Sequence, residues 1–213
     1  MSEIFVAGFE RFRRPDRIVT LLGNYLSSPQ LLEAHGVTRL VRDAGMEGLY
    51  RTEGGGYSGS EVAQMQDDLR WTRWILALNQ GRKWARTRLF ERLSPMLAEG
   101  IAIAVVPSHN PFRTEEPIRL LAQALAADRD RIDATGCLVR HTKIQRIVYG
   151  GPSYRHLHLE TIRVESPETV AGRSVLLLDD IARTGQSLLA CRELLLRAGA
   201  ESVQAAALGR VRR

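Results

Sequence analysis

The sequence predicts an α/β protein: a parallel sheet with flanking helices, preceded by a mainly helical N-terminal region. Continuous apolar runs at Ile101–Val106 and Val175–Leu178 have the length and flanks of strands buried on both faces. From Ile101 onward the pattern alternates strand, helix, strand, loop, strand, helix, strand, as a parallel sheet with crossover helices requires. The first hundred residues instead carry apolar spacing at the helical period. At roughly 150 residues per domain, 213 residues is one domain and about a third more. We divide it into 1–98, a mainly helical region that hoods the core, and 99–213, the α/β core.

The elements follow in order. From Glu61, Val62, Met65, Leu69 and Leu76 share a helical face, with Ser58 and Glu61 spaced as a capping box and Asn79, Gln80 and Gly81 as a stop. A second helix over 84–97 turns Ala85, Leu89, Leu93 and Met96 inward and Arg86, Arg88 and Arg92 outward. Ile101–Val106 is a strand ended by Pro107, and 108–113 is a loop. Glu115–Ala127 is a helix with Pro117 in its first turn. Cys137–Val139 is a short strand of the same sheet. Lys143–Tyr154, with Gly150, Gly151 and Pro152, is a long loop of the kind that often carries function. Ser174–Leu178 is a strand, Gln186–Ala198 a helix closed by Gly199, and Ser202–Leu208 the last strand.

Composition excludes several classes. With 44% hydrophobic and 25% charged residues and 8 Pro, the chain has material for a core and too little polar bias for disorder. No apolar run approaches the ~20 residues of a membrane helix, and Glu3, Glu10, Arg11, Arg13 and Arg14 leave no apolar leader near the start. Cys137 and Cys191 stand alone without CxxC spacing, against a disulfide scaffold or a zinc ribbon. A reducing cytoplasm is the expected location. Lys+Arg is 30 against Asp+Glu 24, a net charge of +6 and a pI of about 9.9. Apart from Lys83 and Lys143 the basic residues are arginines, whose planar fork suits phosphate and carboxylate. A coding bias produces the same excess, and both readings stand.

The informative stretch is VLLLDDIARTGQSL, Val175–Leu188. A buried strand delivers Asp179 and Asp180 to its carboxyl end, where open α/β sheets bind ligands. A turn containing Thr184, Gly185 and Ser187 then opens a helix, which gathers free N–H groups, hydroxyls and the positive end of the helix dipole into a phosphate pocket. Gly185 permits close backbone approach. Two carboxylates repel a bare anion. They suit a molecule with a diol beside its phosphate, such as a ribose 5-phosphate. The bland alternative is a strand-to-helix turn whose acids only favour the dipole and whose Thr184 only caps.

This segment resembles the phosphoribosyl pyrophosphate (PRPP) signature of type I phosphoribosyltransferases: a hydrophobic strand, two acids, an aliphatic residue, two variable positions, Thr-Gly, a variable position and Ser or Thr. Arg183 stands where many members have threonine. The resemblance extends to the ComF-like branch through Ile75–Lys83 and the helix after it, Val105–Pro107, Leu121–Ala126, Arg140–Gln145 with Arg155, and Gly199–Leu208, roughly residues 70–213. Three departures stand out. Met1–Tyr50 has no cysteine, so the branch's zinc module is expected to be missing; the Arg-Gly-Phe-Asn-Gln run after the first core strand is replaced by 108–113; and His158 stands where asparagine is usual.

By resemblance, Asp179 and Asp180 hold the ribose diol, and Ala182, Arg183, Thr184, Gly185, Gln186 and Ser187 hold the 5-phosphate. Ser108, His109, Asn110, Arg140, Lys143 and Arg155 face pyrophosphate. Mg²⁺ accompanies PRPP, its oxygen shell completed by substrate and water with no dedicated protein ligand set. The resemblance implies transfer of a phosphoribosyl group to an unidentified nitrogen nucleophile with release of pyrophosphate, and leaves a homodimer open. The competing reading is a non-catalytic PRPP or nucleotide sensor, or a DNA-uptake accessory protein of the ComF-like kind. Other features are weaker. Gly54–Gly59 satisfies GxGxxG but follows a poor strand; His156 and His158 are expected in a loop with no third metal ligand; Trp71, Trp74 and Trp84 are expected to close a helical core rather than stack nucleic-acid bases.

Overall fold

The computed structural model describes residues 4, 19–26, 31, 59–112, 116–144 and 154–211. Its centre is a parallel sheet in which β3 (Ala102–Val105) pairs with β7 (Ser174–Ala182), and β7 with β8 (Ser202–Val211). The order across the sheet is β1 (Val19–Leu21), β8, β7, β3 and β4 (Ile132–Asp133), with β2 (Asn24–Tyr25) continuing the edge beside β8. The α/β class is the one read from the sequence.

Side chains alternate along a strand, so the apolar runs serve two cores. Ile103, Val105, Leu176, Leu178, Ala206 and Leu208 face one side, where α1 (Gly59–Asn79), α2 (Lys83–Leu93) and α3 (Pro117–Ala126) supply Ile75, Leu89 and Leu121. Ala102, Ala104, Val175, Leu177, Ala205 and Ala207 face the other, against Leu188, Cys191 and Leu195. Those last three lie on α5 (Gln186–Arg197), the helix that follows α4 (Arg155–Thr161). Connections β3–α3–β4 and β7–α5–β8 run to opposite sides of the sheet, which opens a crevice at the carboxyl ends of β3 and β7.

Several elements differ from expectation. Residues 138–140 do not join the parallel sheet: β5 (Leu138–Arg140) pairs antiparallel with β6 (Ile162–Val164), an element absent from the sequence reading, and β4 takes the place beside β3. The region before residue 98 is not helical throughout, since β1 and β2 complete the sheet edge. Arg155 and the two histidines sit on α4 rather than in a loop. The second helix stops at Leu93, where Pro95 turns the chain into a 3₁₀ segment, Ser94–Met96. The capping Ser58, the glycines at 54–56 and most of the loop at 143–154 lie outside the described residues.

Helix α1 also turns a different face inward. Val62, Asp68, Thr72, Ile75 and Leu78 are buried, whereas Met65, Leu69 and Leu76 are only partly so. Two polar residues occupy the buried stripe because the sheet edge offers them partners. Asp68 accepts Asn24 Nδ2 (3.1 Å) and Gln64 Nε2 (2.9 Å), and Thr72 Oγ1 accepts the backbone N–H of Leu26 (3.0 Å). Between β1 and β2 the Gly23 carbonyl still accepts the Arg210 N–H (2.9 Å), while the Leu208 carbonyl opposite accepts instead from the Trp71 indole Nε1, which packs against Gly23. Trp71 packs on Trp74 with ring centroids 5.6 Å apart, while Trp84 is half exposed rather than part of the core.

Arg131 ties the helices at the opposite end. Its buried guanidinium donates to the carbonyls of Ser94, Leu97, Ala98 and Leu125 and to Ser94 Oγ, so one cation joins the 3₁₀ segment after α2 to the end of α3.

A Cβ on Gly23 would lie 2.2 Å from Trp71 Cδ1, too close for the indole to stay. Gly23→Ala is expected to lower unfolding free energy by about 1–3 kcal/mol, the usual cost of overpacking, measured by urea denaturation followed through tryptophan fluorescence.

Candidate active site at the carboxyl end of the sheet

Strand β7 is buried from Ser174 to Leu178, and its first acids appear as it leaves the core. Asp179 lies opposite Ala207 on β8, and Ala182 opposite Arg210. Each carboxylate is held locally. Asp179 Oδ1 accepts the N–H of Asp180 (2.9 Å), and Asp180 Oδ1 accepts that of Ile181 (2.7 Å). Asp180 Oδ2 accepts Asn79 Nδ2 from the end of α1 (2.9 Å). Burial pushes the Asp179 carboxyl well above the usual carboxylate range, and the charge of Asp180, and less so that of Glu116, pushes the same way.

After Ala182 the chain turns through exposed Arg183 and Thr184 into α5. Gly185 caps the helix at φ +75°, with no side-chain hydrogen bond on the cap. Only glycine takes that φ without strain, and it presents the first-turn N–H groups of Gln186, Ser187 and Leu188 at the helix's positive end. Gln186 N–H makes a long contact with Thr184 Oγ1 (3.5 Å). The acid pair and the open N-terminus therefore lie on one strand-turn-helix unit: hydrogen-bond acceptors beside an anion pocket.

The β3 loop adjoins this unit, because β3 pairs with β7 up to Val105 and Leu178. The loop is fastened on several sides: Asn110 N–H donates to Ser108 Oγ (3.3 Å), Phe112 N–H to Asn110 Oδ1 (3.2 Å), and Ile144 N–H to the His109 carbonyl (3.1 Å). The Arg140 guanidinium is buried beneath it, with Nε donating to the Ser108 carbonyl (2.6 Å) and Nη1 to Thr161 Oγ1 (2.5 Å). Arg155 pairs with Glu193 on α5. Lys143 is exposed. The structure thus brings Asp179, Asp180, the turn 182–187 and the loop 108–110 to one end of the sheet, but turns Arg140 into the protein and Arg155 onto a neighbouring helix.

Sequence reasoning missed three neighbours. Asn79 looked like a helix stop. Tyr25 arrives from β2; burial raises its phenol pKa, the Asp180 charge raises it further, and Arg183 opposes. His158, which the sequence offers as a departure from asparagine and as a loop histidine, is buried beside Arg140, with Nδ1 3.4 Å from Nη2. Burial and the Arg140 charge bring the imidazole from 6.5 down to about 4. Facing a guanidinium, Nδ1 accepts, which places the ring proton on Nε2, a buried atom with no partner among the described residues. Among those residues no group of three or more His, Cys, Asp or Glu is arranged to hold a metal ion. No helix there is long and apolar enough to cross a membrane.

The family model for the phosphoribosyl transferase domain matches residues 128–212, from just before β4 to the end of β8 and including the acid pair and the glycine turn. No match was found among curated proteins. Among solved structures, adenine phosphoribosyltransferase from Leishmania tarentolae is similar at a TM-score of 0.39 and 15% identity, over 91% of this chain and 78% of that one. A purine phosphoribosyltransferase from Pyrococcus horikoshii is similar at 0.30 and 15%, over 66% and 83%.

Two pH dependences follow. The folded Asp179 binds its proton more tightly than the unfolded chain does, so its effect on stability is lost as pH rises from about 4 through the raised folded value. Asp179→Asn is expected to be more stable than wild type at pH 8, with the gap closing toward pH 4 in urea titrations. His158 has the opposite sign. Its folded value of about 4 lies below the unfolded 6.5, so wild type loses stability as pH falls between them, and His158→Asn is expected to gain relative to wild type over that interval.

Proposed function

We propose that this protein binds PRPP at the carboxyl end of β7 and transfers its phosphoribosyl group to a nitrogen nucleophile, releasing pyrophosphate. One observation carries the reading. Two carboxylates with fixed orientation stand beside a helix N-terminus whose cap is a left-handed glycine with no side chain, an arrangement that pairs diol acceptors with a phosphate pocket. The match of the phosphoribosyl transferase domain over 128–212 spans that unit.

In this reading Asp179 and Asp180 accept hydrogen bonds from the ribose hydroxyls. The Ala182–Ser187 turn, with Arg183, Thr184, Gly185 and Gln186, receives the 5-phosphate. Ser108, His109 and Asn110 border the pyrophosphate, with Lys143 within the covering segment. Catalysis on such a site is positioning and charge stabilisation: holding the anomeric carbon toward the nucleophile and stabilising the charge that develops as pyrophosphate leaves. The two aspartates fit a Mg²⁺ that arrives with the diol and pyrophosphate oxygens, since a hard cation keeps water and substrate oxygens in its shell. Bound there, it would offset the negative charge of PRPP beside the acid pair.

A second reading, a PRPP-binding protein without turnover, is favoured by the state of the expected pyrophosphate cations. Arg140 is committed to Ser108 and Thr161, and Arg155 to Glu193.

Calorimetric titration with PRPP, with and without Mg²⁺, is expected to show binding that Mg²⁺ strengthens and Asp180→Asn abolishes. Pyrophosphate release across a panel of nitrogenous bases then separates the readings: turnover lost in Asp180→Asn supports transfer, and binding without turnover supports the sensor. A folded protein that binds no PRPP in either condition rules out both.

A further inference from the structure

The acid pair alone does not explain the site's geometry, because Asp180 is held from outside its own strand. Helix α1 lies across the carboxyl end of the sheet, from β2 over β8 to β7, and makes a contact at every turn. Asp68 holds Asn24, Thr72 receives the N–H of Leu26, Trp71 donates to Leu208, Ile75 lies against Gly209, and Asn79 donates to Asp180. Trp71, Ile75 and Asn79 are spaced at i, i+4 and i+8 and so share one face. The first two fix the rotation and height of the helix by packing. Asn79 must therefore arrive at the site with its side chain toward the sheet. Gly81, at φ +75°, turns the chain away immediately afterward.

At that position Asn79 Nδ2 is 2.9 Å from Asp180 Oδ2, while Asp180 Oδ1 accepts the N–H of Ile181. The two carboxylate oxygens are held from different directions, which fixes the plane of the group. Free lone pairs then point along set lines, as a rigid 1,2-diol requires and a single hydroxyl or an anion does not. Asn79 lies outside the stretch matched by the phosphoribosyl transferase domain.

We infer that Asn79 is a positioning residue of the site: its amide orients the Asp180 carboxylate for a vicinal diol and so confers preference for ribose over deoxyribose phosphates. The inference rests on the reading of the site as a ribose-phosphate pocket, and its test is built to fail separately. Asn79 is exposed, so its variants are expected to fold as wild type, verified by circular dichroism and thermal melting.

The probes are ribose 5-phosphate, 2-deoxyribose 5-phosphate and inorganic phosphate, titrated calorimetrically into wild type, Asn79→Ala, Asn79→Asp and Asn79→Gln. Wild type is expected to prefer ribose 5-phosphate to its deoxy analogue. Asn79→Ala is expected to weaken ribose 5-phosphate about tenfold, the scale of one hydrogen bond to a charged group, and to leave inorganic phosphate unchanged. In that variant the ribose preference disappears. Asn79→Asp, which replaces the donor by a like charge, weakens ribose 5-phosphate further. Asn79→Gln, which keeps the amide, recovers part of the preference. An unchanged ribose preference in Asn79→Ala overturns the inference and leaves the pocket standing, as does equal weakening of all three probes. A wild type that binds neither sugar phosphate overturns the pocket and this inference together.

Discussion

The structure depends on the double burial of β7. The strand is paired on both edges, by β3 and β8, and covered on both faces. A strand so enclosed tolerates no unpaired polar side chain until it leaves the core, so Val175 to Leu178 are uniformly apolar and the acids come in succession directly after them. The same enclosure gives the acids their properties. Asp179 is half-buried where the strand leaves the core, Asp180 a residue further on is held by Asn79 of α1, and their surroundings differ although they are adjacent in sequence.

The elements legible in the sequence were those whose burial is uniform. β3, β7 and β8 announce themselves as unbroken apolar runs because both of their faces are covered, and α5 by its one apolar face and the closing Gly199. Elements held by partners far away in sequence were illegible. Asn24–Tyr25 has no strand pattern and exists because β8 offers an open edge. Ile132–Asp133 is too short to carry a period, so the sequence offers Cys137–Val139 for the parallel sheet instead. α4 hides because only His158 and Thr161 of its seven residues are buried, and both are polar.

The site divides along the same line. Its strand-turn-helix half was readable because one continuous segment carries acids, turn glycine and helix start. The half supplied by Tyr25 and Asn79 depends on how α1 seats against Gly23 and Gly209, which spacing within the helix does not reveal. Arg140 marks a further limit. A basic residue next to a loop suggests an exposed anion contact, yet its guanidinium replaces absent backbone partners for Ser108 and shares its enclosure with a neutral imidazole. That arrangement makes the loop's position a property of the core rather than of the solvent face.

The seating of β3 also bears on how the molecule can be divided. The stretch similar to the phosphoribosyl transferase domain begins at residue 128, after β3, so a polypeptide of that stretch alone would carry the acids and the glycine turn but not the strand beside them. One whole edge of β7, with its ladder N–H and carbonyl groups, would then lie open, and such an edge is a template for pairing with another chain. The unit recognisable by similarity is therefore smaller than the unit that closes the sheet on both edges of β7. Any recombination of this chain with a relative has to carry β3 and α1 together with the motif, because they close the sheet and hold the second acid.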